Sequence, residues 1–270
     1  MGNEVAVTGK KELVAQIGDK LQSMIAEQAG AFPKDFNETR FLQNCLAVLI
    51  DTKDIEKCKP MSVVRTMIKG AYLGLDFFRR ECYAIPYGDA LNFQTDYKGE
   101  IKLAKKYGKN INDIYAKLVQ EGDVLEIGVS SGRQVLNFTP KPFNDGPVIG
   151  VFAVVVFNDG TTKYETMSVK DVEDVRQKYS KAAHSPAWVK SWGEMAKKTV
   201  LRRLCKLIDL DFDNQEQQKA YEEGGDADVG HKPSPTVEKV DDPFKKAEDA
   251  PTHTDAEIVE TPKDEFKSVD

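Results

Sequence analysis

Between residues 82 and 167 the chain alternates short apolar segments with tight turns, and this series constrains the fold more than any other feature. The segments are rich in β-branched and aromatic residues, which favour strands. Turn sequences such as Tyr87-Gly88-Asp89 and Asn158-Asp159-Gly160 separate them. Connections this short join antiparallel neighbours, because parallel strands need longer crossovers. The predicted strands are Cys82–Pro86, Ala90–Gln94, Ile114–Gln120, Val124–Ile127, Gln134–Phe138, Val148–Phe157 and Thr161–Met167.

Helical periodicity lies on both sides of these strands, and one helix interrupts them. Capping signals mark the boundaries: Thr39 as an N-cap, Gly74 at an end, and Ser168 with Asp171 as a capping box. These signals predict an α+β fold: an antiparallel β-sheet core with N-terminal helices and a long C-terminal basic helix. The predicted helices are Lys11–Ala29, one after Thr39, one from Pro60 to Gly74, Tyr97–Tyr107, one from Ser168 to Tyr179, and one from Pro186 to Ile208.

Charge is divided unevenly along the chain. Residues 1–210 hold 31 Lys and Arg against 26 Asp and Glu, a net of +5, whereas residues 211–270 hold 7 against 18, a net of −11. The acidic part has no sustained apolar period, so it buries too little surface to offset the entropy of ordering it. We therefore predict an N-terminal helical segment over 1–35, a folded core over 36–210, and an acidic, mostly disordered tail over 211–270.

Cations recur at helical spacing in two of the predicted helices. In the last helix, Lys198, Arg202 and Lys206 fall opposite an apolar arc, while Lys197 falls inside it. Basic helix faces in an acidic chain predict a phosphate-binding surface, although ordinary solvated faces would give the same pattern. The candidate DNA-binding cations are Lys98, Lys102, Lys105 and Lys106 in one helix, Lys197, Lys198, Arg202, Arg203 and Lys206 in the other, and Arg79, Arg80, Arg176, Lys178 and Lys181 outside them.

Aromatic side chains near these cations are candidates for stacking on bases. Phe93, Tyr97 and Trp192 each lie close in sequence to lysines or arginines. Rings beside cations are what binding of single-stranded nucleic acid requires, since the cations neutralise phosphates while the rings stack on bases. The alternative is that these rings pack in the core.

A metal-dependent nuclease is a rival interpretation. Asp89 followed by Glu100-Ile101-Lys102 resembles an arrangement in which two carboxylates hold a metal ion and a lysine supports the attacking water. Such a Glu and Lys normally lie on a strand and point to one side, whereas here they fall in a helical run.

Cysteine usage and hydropathy indicate the compartment. Cys45, Cys58, Cys82 and Cys205 show neither metal-ligand spacing nor a C-x-x-C pair. They predict reduced thiols in a cytoplasmic protein. No apolar run is long enough to predict a membrane span.

Three segments within residues 40–210 match a known family in order. They read GLDFFRRECYAIPYG from Gly74, FQTDYKGEIKLAKKYG from Phe93, and SPAWVKSWGEMAKKTVLRRLCKL from Ser185. Together they resemble the RecT family of phage single-strand annealing recombinases. The joint occurrence of the three is far more specific than any one of them. The residues carried over by matching position are Lys98, Lys102, Trp188, Lys197, Lys198, Arg202, Arg203 and Lys206.

The resemblance implies a function for the predicted core. A protein of this family coats single-stranded DNA, pairs it with its complement, and promotes annealing and strand invasion in homologous recombination without ATP or a required cofactor. An effect of Mg²⁺ on DNA binding stays open. The implied partners are single-stranded DNA, the annealed duplex intermediate and further copies of the chain in a ring or helical filament. A partner exonuclease and a host single-strand binding protein are further candidates, and the implied location is the cytoplasm of a bacterial host. A plain single-strand coating protein and the nuclease remain as alternatives.

Overall fold

A computed structural model describes residues 2–180 and 183–229, which form helices and antiparallel strands. The helices are α1 (Gly2–Glu27), α2 (Glu38–Asp51), α3 (Pro60–Leu73), α4 (Tyr97–Tyr107), α5 (Val169–Tyr179), α6 (Pro186–Lys190), α7 (Trp192–Cys205) and α8 (Gln215–Val229). The strands are β1 (Cys82–Tyr87), β2 (Ala90–Thr95), β3 (Ile111–Gln120), β4 (Val124–Ser130), β5 (Arg133–Thr139), β6 (Val148–Phe157) and β7 (Thr162–Ser168).

All seven predicted strands form, and their pairings are antiparallel as predicted. Strands β1 and β2 make a separate hairpin, while the other five form one sheet in the order β3-β6-β7-β5-β4. Ser131 and Gly132 join β4 to β5, and both have left-handed backbones with φ of 52° and 76°. Two left-handed residues give the hairpin turn whose twist matches that of paired strands.

Capping residues fix most helix ends where the sequence predicts them. Ser168 accepts a hydrogen bond from the Asp171 N–H, and the Asp171 carboxylate accepts one from the Ser168 N–H, so the predicted capping box is confirmed. Gly74 ends α3 with a left-handed φ of 64°, as predicted. The predicted N-cap of α2 is wrong by two residues, because Asn37 rather than Thr39 caps the helix.

The apolar side chains form two main clusters, and strand β6 shows how they are arranged. In the first cluster α1, α2 and α3 pack together and against the β1–β2 hairpin. Val151, Ala153 and Val155 of β6 face the second cluster, in which α4, α5 and α7 cover one face of the sheet. Phe152 and Val154 alternate with them and face the opposite side, where a smaller cluster forms among the strands themselves.

The C-terminal third differs from its prediction in two ways. The single long helix is wrong, because the backbone of Ser191 (φ −134°, ψ 40°) breaks it into α6 and α7. The prediction of a mostly disordered tail is wrong for residues 215–229, which form helix α8. The rest of that predicted tail, residues 230–270, lies outside the described residues.

The cysteines are all free and buried, in keeping with reduced thiols. Burial raises the pKa of Cys205 to about 12, so its thiol stays protonated and unreactive. Within the described residues, no helix combines the length and the apolar character that crossing a membrane requires.

Candidate nucleic-acid interface

The predicted basic stripe of α7 is mostly buried. Lys198 is 5% exposed and Arg202 7% exposed, whereas Lys206 is exposed. The helical wheel assumed that one side of the helix faces solvent. In the structure α7 packs on the sheet on one side and on α4 on the other, so both sides lose access to water. Lys198 and Arg202 are therefore too buried to contact DNA in this conformation, contrary to the prediction.

Arg202 instead belongs to a buried ion pair. Its guanidinium donates from Nη1 to Oε1 of Glu100 at 2.8 Å and from Nη2 to the carbonyl of Tyr221 at 2.7 Å. It also lies 3.9 Å from the centre of the Tyr221 ring. Glu100 is fully buried and accepts further hydrogen bonds from the hydroxyls of Thr95 and Tyr221. Burial alone would lower the pKa of Arg202, but the Glu100 carboxylate raises it above its ordinary value, so the guanidinium stays charged.

The lysines of α4 other than Lys98 are neutralised by nearby groups. Lys102 donates to the Glu81 carboxylate at 2.6 Å and to the Gly74 carbonyl at 2.7 Å, so it ties α4 to the loop after α3. Lys105 pairs with Asp113 at 2.8 Å, and Lys106 pairs with Asp35 at 2.7 Å. These three lysines therefore hold structural elements together rather than presenting free charge to a ligand.

Two of the predicted stacking or contact rings lie in the core. Phe93 is 3% exposed and packs edge-on against Phe77. Trp188, carried over from the family, is 1% exposed; its indole N–H donates to Ser180 at 3.1 Å, and the Arg176 guanidinium lies over its ring. Phe93 and Trp188 are therefore core residues, and in this structure neither ring is accessible for stacking on a base or contacting DNA.

The cations at the end of α5 are also engaged locally. Arg176 donates to the Ala183 carbonyl at 2.7 Å and pairs with Glu173, while Lys178 pairs with Asp174 at 3.6 Å. Lys181 lies outside the described residues.

Three further candidates of α7 are partly accessible but paired. Trp192 donates its indole N–H to the Glu173 carboxylate at 2.6 Å and is half-buried. Arg203 is exposed and pairs with Glu165 at 2.8 Å. Lys197, which the helical wheel placed in the apolar arc, is half-buried and pairs with Glu194.

Three of the remaining candidates, Arg79, Arg80 and Lys98, lie where the loop after α3 meets the first turn of α4. The Asp96 N–H donates to the Glu81 carbonyl at 3.0 Å. A side chain at Gly99 would lie 2.1 Å from the same carbonyl oxygen, so only glycine allows this approach. The contact brings the loop that carries Arg80 to the start of α4, the helix that carries Lys98.

We call the resulting region the Arg80–Lys98 surface. Arg79, Arg80 and Lys98 are exposed, and none of the three makes an ion pair with another described residue. Exposed or half-buried rings lie in the same elements, and the ammonium of Lys197 lies 5.1 Å from the centre of one of them, Tyr97. The surface consists of Phe78, Arg79, Arg80, Tyr83, Tyr97, Lys98 and Lys197.

The carboxyl group of Asp96, when ionised, reduces the positive charge of this surface. Burial raises the pKa of Asp96 above its ordinary value, and the charges of Lys198 and Lys98 oppose that shift. Asp96 is also the residue before the first turn of α4, whose main-chain N–H groups carry partial positive charge. Unpaired cations, a helix start and exposed rings in one place form an arrangement able to hold phosphates while stacking on bases.

The sequence pattern of the RecT family matches residues 39–236, which is most of the chain. The chain belongs to the RecT family. Protein RecT of Escherichia coli (strain K12) is 30% identical over 203 residues, covering 72% of this chain and 74% of that protein. The Uncharacterized protein YqaK of Bacillus subtilis (strain 168) is 30% identical over 168 residues, covering 61% of this chain and 57% of that protein. Membership makes the chain a DNA-binding recombination protein of the single-strand annealing type.

The nuclease arrangement is not assembled in this RecT-family chain. Glu100 is fully buried and held by Arg202, whereas Asp89 lies on the β1–β2 turn and pairs with Lys59. Lys102 is engaged by Glu81. Among the residues that the structure describes, no group of three His, Cys, Asp or Glu side chains could hold a metal ion.

The sequence prediction did not include two aromatic residues of the Arg80–Lys98 surface, Phe78 and Tyr83. Phe78 is 64% exposed and Tyr83 is 38% exposed, although both are large and partly apolar. Their position beside Arg79 and Arg80 in the first family segment was the available signal. An open cavity of about 590 Å³ elsewhere, lined by Lys109, Phe157 and Lys163 among others, is less suited to DNA. Its lysines are already engaged, by Asp209 and Asp211 and by the Leu207 carbonyl.

Proposed function

We propose that this protein binds single-stranded DNA on the Arg80–Lys98 surface and promotes the annealing of complementary strands without ATP. The observation that carries the proposal is that Arg79, Arg80 and Lys98 are exposed and have no carboxylate partner within the described part of the chain, whereas the other lysines of α4 are paired. Only unpaired cations can release counterions from a DNA backbone without first breaking a protein ion pair.

The proposed mechanism involves no bond change. Cations of the surface reduce the repulsion between two strands, which both carry one negative charge per phosphate. Phe78, Tyr83 and Tyr97 offer faces on which bases stack, which keeps a bound strand extended. Base pairing between the strands then supplies sequence specificity, so the protein need not read base edges.

The wider activity follows from the same surface. Strand invasion is annealing in which the complement comes from a duplex, and it needs a bound, extended first strand. We place the protein in the cytoplasm of a bacterial host, as a homo-oligomer that holds many surfaces along one strand. A partner exonuclease would supply the single strand, and a host single-strand binding protein would hand it over. Mg²⁺ would act only by screening phosphates.

Removing the three unpaired cations tests the proposed surface. The variant Arg79→Ala/Arg80→Ala/Lys98→Ala is compared with the wild type by fluorescence anisotropy on a labelled oligonucleotide over a range of salt concentrations. Each lost phosphate contact lowers the slope of log affinity against log salt by about 0.7, so the expected loss is about 2. The matched control is Lys11→Ala/Lys20→Ala/Lys53→Ala, which removes the same charge from exposed positions on α1 and after α2. Equal slopes in the two variants would place the DNA elsewhere.

Annealing itself is measured with two complementary labelled oligonucleotides, without ATP. Faster pairing with intact strands is the expected result. Binding without faster pairing would indicate a plain coating protein, and shortening of strands that depends on Mg²⁺ would indicate a nuclease.

A further inference from the structure

Strand β4 lies at one edge of the five-stranded sheet. It pairs with β5 along its whole length, from Val124 opposite Thr139 to Ser130 opposite Arg133. No described strand pairs with its other side. Every second residue of such a strand directs its main-chain N–H and C=O groups away from the paired neighbour. The outer side of β4 therefore offers a row of main-chain donors and acceptors.

This edge has few of the features that usually prevent strands from pairing between molecules. It contains neither proline nor lysine, its one charged residue is Glu126, and three of its apolar side chains are exposed: Val124 by 54%, Ile127 by 47% and Val129 by 70%. The opposite edge strand, β3, is protected differently. The carboxylates of Asp113 and Asp123 accept hydrogen bonds from its main-chain N–H groups, and register shifts interrupt it near both ends. The β4 edge is therefore less protected against pairing than the β3 edge.

The sequence of β4 is complementary to itself in antiparallel pairing. If two copies meet about Ile127, then Leu125 of each copy lies opposite Val129 of the other, and the two Ile127 side chains lie opposite each other. Glu126 lies opposite Gly128 of the second copy, so the two carboxylates do not face each other. Since side chains alternate between faces, Leu125, Ile127 and Val129 of both copies fall on one face of the joined sheet.

That face already carries apolar side chains in each copy. Ile127 lies opposite Leu136 of β5, and Leu125 lies opposite Phe138. Leu125, Leu136 and Phe138 pack on the cluster around Phe152. The paired strands would continue this cluster from one copy into the next.

We propose that two copies of this chain associate through β4, in antiparallel register about Ile127, and form a sheet that continues across both. The contact is isologous, because the same strand serves both copies. A two-fold contact of this kind closes on two copies, so it is separate from the repeating contacts that would align copies along one DNA strand, and it does not depend on DNA binding.

A charge at the centre of the contact tests the proposal. In Ile127→Lys two ammonium groups lie opposite each other, so the dissociation constant for self-association should rise at least about tenfold. The control is Val124→Lys, since Val124 has similar exposure on the same strand but faces the other side, opposite Ser130 of the second copy. Sedimentation velocity of the full chain measures association, and circular dichroism checks that both variants are folded. A wild type that stays monomeric, or an Ile127→Lys variant that associates like the wild type, would overturn the proposal.

Cysteine cross-linking tests the register. The four native cysteines are buried, so a new surface cysteine reacts without competition. In the proposed register the Cα atoms of the two residues 127 lie about 5.5 Å apart, within disulfide range, whereas the two residues 124 lie about 20 Å apart. Oxidation should therefore link two chains of Ile127→Cys and not of Val124→Cys. Association without a link at 127 would mean that β4 pairs with a different strand, and the proposal would be wrong.

The same variants separate this proposal from the proposed function. Binding of single-stranded DNA by Ile127→Lys, measured by anisotropy, should persist because the Arg80–Lys98 surface is intact. Loss of self-association with retained binding supports the β4 contact. Absence of DNA binding in the wild type would count against the proposed function alone.

Discussion

Replacing Arg202 with alanine distinguishes a buried structural cation from a DNA-binding one. The change removes the partner of Glu100, a carboxylate with no exposure to solvent, and two hydrogen bonds. Removing one member of a buried ion pair typically costs about 3–5 kcal/mol, because the other charge is left uncompensated. For a domain of this size each kcal/mol lowers the melting temperature by about 2–4 °C, so the expected decrease is about 6–20 °C.

The assay is thermal and urea unfolding followed by circular dichroism, with DNA binding measured at a temperature where the variant is folded. The matched control is Lys206→Ala, an exposed lysine that follows the last residue of α7, for which a change below about 0.5 kcal/mol is expected. Arg202→Ala should bind DNA like the wild type once its folded fraction is counted. The reasoning is refuted if Arg202→Ala keeps wild-type stability and loses DNA binding, because that result would place the guanidinium on the surface.

The remaining predictions concern the Arg80–Lys98 surface and the C-terminal helix. As the pH falls towards the raised pKa of Asp96, its carboxylate takes up a proton and the surface loses a negative charge, so DNA affinity should rise. Asp96→Asn should bind more tightly at neutral pH and lose this part of the pH dependence in anisotropy titrations. Gly99→Ala should weaken DNA binding, because its methyl group displaces the Glu81 carbonyl and with it the arginine loop; unchanged binding would show that the loop position is unimportant. A chain ending at Val229 keeps every described helix and strand, so it should unfold like the wild type. It loses eleven carboxylates and six lysines, and because the loss of negative charge is larger, it should bind DNA more tightly at low salt. A chain ending at residue 214 should unfold at lower temperature, since it also lacks Tyr221.

Local signals explain the parts of the fold that the sequence predicts well. Helix α4 has the predicted bounds, Tyr97 and Tyr107, and the strand β6 has the predicted bounds Val148 and Phe157. The Ser168 capping box forms as predicted. In each case the deciding interaction lies within a few residues or in the periodicity of the segment, so it is visible without knowing the tertiary contacts.

Tertiary contacts explain the parts that it predicts poorly. Helix α8 is polar and contains Gly224 and Gly225, which disfavour a helix in isolation. These glycines are close to Phe93 and Arg202, where a larger residue would clash, so the helix depends on contacts far away in sequence. Arg202 itself was predicted to be exposed because it lies opposite the apolar arc of its helix. A helical wheel gives the same position to a cation that faces solvent and to one that faces a buried carboxylate such as Glu100.

The buried ion pair also bears on when the protein can fold during its synthesis. Glu100 meets Arg202 only after 102 further residues have been made, and Tyr221 only after 121. Until then its carboxylate has neither partner, and closing the core around it would bury an unpaired charge. Contacts of such sequence separation slow folding. The core should therefore close late, once α8 has left the ribosome, and nascent chains stalled before that point should stay sensitive to protease.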